Sequence, residues 1–380
     1  MCLIINLLLL IFNKLLLKYV KINHLCVMSF SEKLIGWYHS YGRDLPWRKT
    51  QDPYVIWLSE IILQQTRVQQ GMPYFYAFLD AFPTVQDFAD ADQAEVLRLW
   101  QGLGYYSRAR NMHKAAKEVQ ERFDGRFPTA YSDLLSLPGV GEYTAAAIAS
   151  FSSNAVHAVL DGNVFRVLSR YFGIDEPINS TVGKKIFKQL AQELISTHSP
   201  GTYNHAIMDF GATVCKPKAP LCMECIFADS CVALQDKRVD RLPVKLKGKG
   251  SRDRFFHYFI IEQDGAILMH QRMEGDVWAS LYEFPLIETS SDVDIEKLLD
   301  TADYQKFLSS GYLEPIGGRV KHVLSHQNIY ARFYKWNGQL KDGEKKEGWN
   351  YFLLENLDKL AKHKLIFSFL DKYCEQLIKT

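Results

Sequence analysis

The chain has 380 residues, of which 47% are apolar and 23% are charged, and its formal net charge is +2. This length suffices for two or three domains, and the composition is that of a globular protein, which excludes a disordered or fibrous chain. The net charge favours neither an acidic nor a basic partner. Only residues 237–254 are strongly basic, with eight Lys or Arg against two Asp. They form either a solvated linker or a segment that lies along a phosphate backbone.

The first 27 residues differ in composition from the rest of the chain. Residues 2–12 are almost entirely apolar, but they are too few to span a bilayer, and no positive charge precedes them as in a signal peptide. Met28 is followed by Ser-Phe-Ser-Glu-Lys, which predicts an N-cap and the start of a helix. We expect residues 1–27 to be an extension or a misassigned start, and an N-terminal membrane anchor is the alternative.

The region from about Ser31 to Arg238 has a helical pattern almost throughout. Apolar residues recur at spacings of three and four, and short segments of Gly, Pro and Asp separate the runs. The predicted helical segments are 55–70, 92–100, 132–137, 143–151, 164–172 and 183–195. We therefore predict an all-α domain at residues 28–238.

The composition changes towards the C-terminus. Residues 255–261 are aromatic and β-branched, Asp264-Gly265 is a turn signal, and residues 266–270 are again apolar, which predicts a hairpin. Residues 323–334 alternate like a strand and lead to a second turn signal, Asn337-Gly338, before a helical pattern at 359–378. We predict a basic linker at residues 239–251 and an α+β domain at residues 252–380.

Four of the seven cysteines lie within seventeen positions: Cys215, Cys222, Cys225 and Cys231. Such groups are metal or cluster ligands more often than disulfides when the rest of the chain has an intracellular character. Separations of six, two and five residues suit a [4Fe–4S] cluster better than the two paired knuckles of a four-cysteine zinc site. Zinc and unliganded thiols are the alternatives.

The segment Leu137-Pro138-Gly139-Val140-Gly141 lies between two predicted helices. Gly139 and Gly141, on either side of Val140, would let backbone N–H groups approach a phosphate at the N-terminus of the next helix. A contact of this kind anchors DNA without reading its bases. An ordinary Pro-Gly turn is the alternative.

Two carboxylates occupy contrasting positions. Asp161 precedes a predicted helix as its N-cap, where helical N–H groups would keep it ionised, although it could equally be a structural cap. Glu60 is embedded in an apolar helix, where burial would raise its pKa and make it a general acid; the alternative is an exposed position. One neutral and one charged carboxylate form the pair that breaks glycosidic bonds.

These motifs, in this order, resemble those of the helix-hairpin-helix DNA glycosylases that carry iron–sulfur clusters. With LPWR at 45–48, WLSEIILQQTRV at 57–68 and GLGYYSRARN at 102–111, the chain closely resembles the MutY-type adenine DNA glycosylases from about Met28 to its C-terminus. The resemblance implies a mainly α N-terminal helix-hairpin-helix glycosylase fold with a [4Fe–4S] loop. It also implies an α+β Nudix-like C-terminal domain.

The resemblance further implies catalytic roles. Glu60 would protonate N7 of an adenine flipped into a pocket lined by Trp47 and Arg48, and Asp161 would stabilise the oxocarbenium-like sugar. Tyr143 would hydrogen-bond within the site. It stands where endonuclease III-like members have the lysine that permits strand cleavage, and tyrosine cannot form a Schiff base. We therefore predict a monofunctional glycosylase that removes adenine opposite 8-oxoguanine or guanine.

Further residues match positions that contact DNA in the family. Gln65 and one of Tyr105 and Tyr106 resemble residues that wedge into the duplex, although core packing is the alternative for the tyrosines. His205 lies where relatives often have Glu or Gln near the adenine, which leaves one pocket contact open. The cluster is expected to be structural and to hold a loop with two lysines, at positions 216 and 218, against the phosphate backbone.

The C-terminal domain resembles the module with which the family senses 8-oxoguanine, on the basis of Arg272 and residues 276–285. Leu324, Ser325 and His326 match the family's Phe-Ser-His recognition loop, with leucine in place of phenylalanine. Ser325 and His326 could still supply hydrogen bonds, whereas the aromatic packing is lost. The segment after Pro285 lacks the glutamate-rich helix that binds magnesium in Nudix hydrolases, so pyrophosphatase activity is not expected.

The expected partner is double-stranded DNA with A:8-oxoguanine or A:G mispairs, bound by a monomer in a bacterial cytoplasm, without a membrane. Three alternatives stay open from the sequence. They are a bifunctional glycosylase/lyase, a non-catalytic mismatch sensor, and a nucleotide-pool hydrolase centred on the C-terminal domain.

Overall fold

The computed structural model describes residues 24–378 except 249, 309, 339 and 341–345. The predicted extension at residues 1–27 lies almost wholly outside this part. The chain divides into an N-terminal unit, residues 1–89 with 114–247, and a C-terminal unit, residues 90–113 with 248–380. In this division, residues 90–113 group with the C-terminal unit. The domain boundaries expected from the sequence stay a prediction.

The chain is helical from residue 24 to residue 235. In order, the helices are α1 (His24–Tyr41), α2 (Pro53–Ile62), α3 (Val68–Ala81), α4 (Val85–Asp90), α5 (Gln93–Leu99), α6 (Ser107–Phe123), α7 (Tyr131–Leu135), α8 (Glu142–Ser153), α9 (Gly162–Phe172), α10 (Thr181–Leu194), α11 (Pro200–Thr213) and α12 (Val232–Gln235). Among the described residues, no helix combines the length and apolar character that a membrane crossing needs.

Side-chain caps explain where several of these helices begin. The carboxylate of Asp52 accepts a hydrogen bond from the N–H of Tyr54 at the start of α2, and the Ser180 hydroxyl accepts one from Gly183 at the start of α10. The helix expected to begin after Met28 is already formed at His24, so the N-cap predicted there is wrong.

The predicted helical segment 55–70 is interrupted, which is a second difference from the sequence prediction. It consists of α2 and the first turn of α3, with a turn between them at residues 63–67. Gln65 in this turn adopts a left-handed backbone conformation, with φ of 56°. An α-helix cannot contain that conformation, so the apolar periodicity alone did not reveal the break.

The core of the N-terminal unit determines which helix ends meet. Helix α11 packs against α1, α8 and α9, and α2 packs against α8. The apolar faces of these helices are buried together, and the largest side chains among them include Phe30, Phe187, Tyr203 and Phe210. This packing brings one end of α2, α8, α9 and α11 around a common space.

The described residues of the C-terminal unit form two sheets and three further helices. Its strands are β1 (Arg252–Ile260), β2 (Glu262–Gln263), β3 (Ala266–Gln271), β4 (Tyr282–Glu283), β5 (Leu286–Thr289), β6 (Tyr312–Val323), β7 (Gln327–Asn337) and β8 (Trp349–Leu353). The helices are α13 (Ile295–Leu299), α14 (Ala302–Phe307) and α15 (Lys364–Ile378). One sheet has the order β5-β1-β7-β6, and in the other β3 pairs with β2, β4 and β8.

The α+β character of this unit is confirmed, but both predicted hairpins differ. The turn at Asp264-Gly265 joins only the short β2 to β3, because β1 pairs with β5 on one side and with β7 in parallel on the other. The second hairpin turn lies at residues 324–326 instead of Asn337-Gly338. There the N–H of Leu324 donates to the carbonyl oxygen of Gln327 at 2.8 Å and closes the connection between β6 and β7.

Candidate active site

An open cavity of about 1190 Å³ lies in the N-terminal unit, where the ends of α2, α8, α9 and α11 meet. Most residues that the sequence assigned to catalysis, the adenine pocket or DNA anchoring line it. They are Trp47, Arg48, Glu60, Gln65, Gly139, Gly141, Tyr143, Asp161 and His205. The fold therefore brings residues from 47 to 205 of the chain to one place.

Glu60 lies on α2 at the cavity wall, and its side chain is buried among apolar neighbours. Its Oε2 accepts a 2.8 Å hydrogen bond from the hydroxyl of Tyr143, at the start of α8. Burial raises the pKa of Glu60 to about 7, although the Tyr143 hydrogen bond and the charge of Arg48 oppose the rise. A carboxyl group with this pKa can hold a proton at neutral pH and release it to a base.

Asp161 caps the N-terminus of α9. Its Oδ1 accepts hydrogen bonds from the N–H groups of Asn163 and Val164 at 2.9 and 2.8 Å, and its Oδ2 accepts one from Asn163 Nδ2 at 2.8 Å. Burial nevertheless raises the pKa of Asp161 above its usual range, and these three hydrogen bonds only oppose the rise. The sequence argument counted the cap but not the burial.

Asp209 on α11 is a buried carboxylate that the sequence analysis missed. Its side chain has no exposed surface, and it pairs with Arg48 through bonds of 2.7 and 2.6 Å and with Arg43 through three more. These hydrogen bonds outweigh burial and lower the pKa of Asp209 to about 2. The signal was available, because an aspartate within the apolar run 206–211 is as unusual as Glu60 within its helix.

His205 lies one helical turn before Asp209 and also lines the cavity. Its ring stacks on Phe151 with a centroid distance of 3.8 Å and an interplanar angle of 7°. Burial, with the charge of Arg48, lowers the pKa of His205 to about 3, so the imidazole is neutral at physiological pH. A neutral imidazole offers one donor and one acceptor at this wall.

Asn163 joins the Asp161 cap to the cysteine loop through Arg166. The guanidinium of Arg166 donates to Asn163 Oδ1 at 2.8 Å, to the carbonyl oxygen of Gly211 at 2.6 Å and to that of Cys215 at 2.7 Å. The role of Asn163 depends on Arg166, which reaches Gly211 and Cys215, 45 and 49 residues away in the chain, and the sequence does not reveal these contacts.

The Leu137–Gly141 segment forms a tight connection between α7 and α8. Gly139 has a φ of 77°, a backbone conformation that favours glycine, and the N–H of Val140 donates to the carbonyl oxygen of Leu137 at 3.1 Å. Gly141 is the N-cap residue of α8, and a Cβ atom there would meet nothing within 4 Å. The open space beside Gly141 suits a backbone phosphate at a helix N-terminus.

The four cysteines surround a second, small cavity next to α9 and α12. All four line this cavity with Arg170, whose Nη1 lies 3.4 Å from Cys215 Sγ. Burial raises the pKa of Cys225 to about 11, so this thiol is neutral unless a metal binds it. Within the described ranges, no three Cys, His, Asp or Glu side chains form a group that could hold a single metal ion.

Four cysteine side chains around one small cavity match the ligand set of an iron–sulfur cubane, in which each thiolate binds a different iron atom. The adjacent guanidinium of Arg170 also carries the positive charge that would balance thiolates. Arg170 holds the loop through further bonds to the carbonyl oxygens of Lys216, Val239 and Leu242.

The remaining predicted residues lie in the C-terminal unit. Tyr105 is 47% exposed and has a φ of 49°, whereas Tyr106 is buried and donates to the carbonyl oxygen of Lys362. The Tyr105 hydroxyl lies 2.5 Å from Ser325 Oγ, so the two predicted DNA contacts are adjacent. His326 follows in the same turn, and Leu324 packs against the core of this unit. Of the two tyrosines, Tyr105 is the one at the surface.

The family described as "HhH-GPD superfamily base excision DNA repair protein" matches residues 58–195, and a NUDIX domain matches residues 257–372. The adenine DNA glycosylase of Buchnera aphidicola subsp. Schizaphis graminum is 39% identical over 69% of this chain and 76% of its own length. The chain belongs to the adenine DNA glycosylase family. The human adenine DNA glycosylase is 32% identical over 81% of this chain and 67% of its own length.

Among solved structures, a thermostable thymine-DNA glycosylase superposes with a TM-score of 0.52 and 29% identity, covering 55% of this chain and 97% of that one. The family membership and the two-part fold class predicted from the sequence are confirmed. The chain is thus a DNA glycosylase of base excision repair with a Nudix-like C-terminal part. The individual site residues stay predictions, now with a defined geometry.

Proposed function

We propose that this chain is a monofunctional adenine DNA glycosylase that hydrolyses the N-glycosidic bond of adenine opposite 8-oxoguanine or guanine in duplex DNA. The observation that carries the proposal is the arrangement of Glu60, Tyr143 and Asp161 around one open cavity. Relatives named adenine DNA glycosylases, from Buchnera to human, support adenine as the base that is removed.

Glu60 acts as the general acid. It transfers its proton to N7 of an adenine extruded into the cavity, and the glycosidic electron pair leaves with the base. Asp161 stabilises the resulting cationic sugar by its negative charge. A water molecule then adds at C1′, and its proton passes to a carboxylate of the site. Tyr143 orients Glu60 through the hydrogen bond to Oε2.

The residues that line the cavity support a reaction without a strand-cleaving step. A lyase step needs an amine that forms a Schiff base with the opened sugar. The corresponding position holds Tyr143, and none of the described residues that line the cavity is a lysine. The product is therefore an abasic site in an intact strand.

DNA is held by a helix N-terminus at the edge of the cavity and by two wedge residues, one in each unit. Gly139 and Gly141 offer a helix N-terminus to a phosphate, and Gln65 and Tyr105 are the wedge residues. Both wedge residues have left-handed backbones, at φ of 56° and 49°. Such conformations are costly for residues other than glycine and tend to occur at functional sites.

A [4Fe–4S] cluster bound by Cys215, Cys222, Cys225 and Cys231 completes the N-terminal unit. When bound, the cluster supplies a rigid crosslink among four points of the loop and no step of the hydrolysis. The loop presents Lys218 to solvent, where it can approach a phosphate. Arg170 and Arg166 attach the loop to α9, at whose N-terminus Asp161 lies.

Recognition of the opposite base belongs to the turn between β6 and β7. Ser325 and His326 supply donors and acceptors for an oxidised guanine, and Leu324 supports the turn from the core side. The enzyme acts as a monomer on the duplex.

The experiment that tests this function uses duplexes with adenine opposite 8-oxoguanine, guanine or thymine. Strand breaks are measured with and without alkali. Breaks at the adenine that appear only after alkali, fastest opposite 8-oxoguanine, are expected. Breaks without alkali would instead show a lyase, and no breaks under either condition would exclude a glycosylase of adenine.

A second arm tests the general acid. Glu60→Gln should abolish the breaks while DNA binding is retained, because an amide cannot donate an acidic proton. Glu32→Gln, which changes an exposed glutamate of α1, is the matched control and should leave the rate unchanged. Full activity of Glu60→Gln would refute the assignment.

A further inference from the structure

We propose that Asp209 is a positioning residue of the glycosylase reaction. It holds Arg48 at the cavity wall and offsets the positive charge that Arg48 would otherwise exert on Glu60. This inference rests on the proposed role of Glu60 as the general acid. It assigns a task to a carboxylate that does not itself line the cavity.

Both carboxylate oxygens of Asp209 are hydrogen-bonded to arginines. Its two oxygens accept five hydrogen bonds from Arg43 and Arg48, and its side chain has no exposed surface. The pair with Arg48 is bidentate, so the carboxylate determines both the position and the plane of that guanidinium. The Arg48 side chain is itself only 7% exposed, and beyond Asp209 its Nη1 contacts the carbonyl oxygen of Arg43 at 3.2 Å and the Tyr38 hydroxyl at 3.5 Å.

The charges explain why this matters for the acid. Arg43, Arg48 and Asp209 together carry one net positive charge, and loss of the Asp209 charge would leave two, one of them on the nearly buried Arg48. The charge of Arg48 lowers the pKa of Glu60, against the effect of burial. An uncompensated arginine would favour the ionised form of Glu60, which has no proton to give.

The other groups nearby do not replace this effect. Glu60 is faced by Arg48 from the 3-10 turn at 46–48, by Tyr143 from α8 and by Asp161 from the start of α9. Asp209 is surrounded by Arg43 and Arg48, with the Tyr38 hydroxyl from α1 and His205 from its own helix close to the pair. Tyr38 and His205 are neutral near pH 7. Asp209 is thus the group whose charge is in direct contact with Arg48.

The test is the pH dependence of base excision under single-turnover conditions, measured with the full-length chain. Activity requires protonated Glu60, so the rate falls on the alkaline side as pH passes the pKa of that residue. Asp209→Asn should move this alkaline limb to lower pH by about 1 unit. Asp209→Glu, which keeps the charge, should leave the limb where it is in the wild-type chain.

Arg48→Met is an independent test, in which the alkaline limb should shift in the opposite direction. It removes the positive charge, so the alkaline limb should move to higher pH even if the maximal rate falls. If Asp209→Asn does not fold, this variant still tests the premise, because without an effect of Arg48 on Glu60 there is no charge for Asp209 to offset. A uniform loss of rate in Asp209→Asn with an unmoved limb, or an unmoved limb in Arg48→Met, would overturn the inference.

The outcomes also separate this inference from the proposed function. If Glu60→Gln retains activity, the general acid is wrong, and the alkaline limb has another origin. If Glu60→Gln is inactive and the limb of Asp209→Asn does not move, only the role of Asp209 fails.

Discussion

The hydroxyl of Tyr143 donates a 2.8 Å hydrogen bond to Oε2 of Glu60. This bond stabilises the ionised carboxylate and so lowers the pKa of Glu60, against the larger effect of burial, which brings it to about 7. The two side chains come from α2 and α8, 83 residues apart in the chain. Their pairing sets the pH range over which the acid holds its proton.

Tyr143→Phe should therefore extend activity to more alkaline pH. Loss of the donor raises the pKa of Glu60, so the protonated form persists to higher pH, although the maximal rate falls because the carboxyl is less well oriented. Single-turnover excision rates across the pH range measure this. Tyr76→Phe, at a tyrosine with 48% exposure, is the control. A limb that moves to lower pH would contradict the hydrogen-bond argument.

Tyr143→Lys should give the enzyme a strand-cleaving activity. An amine at this position lies beside Glu60 and Asp161, and burial there favours the neutral, nucleophilic form. Reduction with borohydride during the reaction should trap a covalent protein–DNA adduct, and strand breaks should appear without alkali. Tyr143→Phe is the matched variant and should give neither. Absence of an adduct in an active lysine variant would place the sugar away from residue 143.

Two substitutions of Asp161 should separate its effect on the stability of the fold from its effect on catalysis. Asp161→Asn keeps an oxygen that can cap α9 but removes the charge, so excision should be lost while the free energy of unfolding changes little. Asp161→Ala removes the cap as well and should cost about 1 kcal/mol of that free energy. Denaturant unfolding and excision rates measure the two effects. Equal stability of both variants would show that the cap does not stabilise the fold.

The pattern of the sequence predicted the parts of the site that are local in the chain. The LPGVG connection, the Asp161 cap and the four cysteines each lie within a short segment, and the resemblance to a family placed Glu60 and Tyr143. The bonds of Asp209 to Arg43 and Arg48 and the bonds of Arg166 could not be predicted, because they join residues brought together only by the packing of α11 against α1 and α9.

The errors in the fold have a similar origin. Apolar periodicity continues through residues 63–67, but Gln65 breaks the helix by adopting a left-handed backbone. In the C-terminal unit, β1 is buried along most of its length, so its sequence does not reveal that its neighbours in the sheet are β5 and β7. Turn signals such as Asn337-Gly338 mark the end of a strand without saying which strand follows it in the sheet.

Cys225→Ser should remove or destabilise the bound cluster. The thiolate is the ligand that iron requires, and a serine hydroxyl is a poor substitute. Iron and acid-labile sulfide per chain, together with the visible absorbance of the purified protein, measure the loss. Cys374→Ser, which changes a cysteine outside the group of four, is the control and should leave the iron content unchanged. Stoichiometric zinc in place of iron in the wild-type chain would contradict the cluster assignment.

Gly211→Ala should impair excision from a position that does not itself line the cavity. A Cβ atom at this residue of α11 would lie 2.6 Å from Cβ of Asn163 and 3.1 Å from its carbonyl oxygen, so Asn163 must shift. Asn163 supplies two of the hydrogen bonds to Asp161, and the overpacked contact should cost about 1–3 kcal/mol of folding free energy.

Gly36→Ala is the matched control, because Gly36 is an exposed residue of α1 with open space beside it. That change should stabilise the helix by about 0.5–1 kcal/mol and leave the excision rate unchanged. Excision rates and thermal unfolding of both variants measure the effects, and a Gly211→Ala chain with wild-type activity would show that the Asn163 bonds do not determine the position of Asp161.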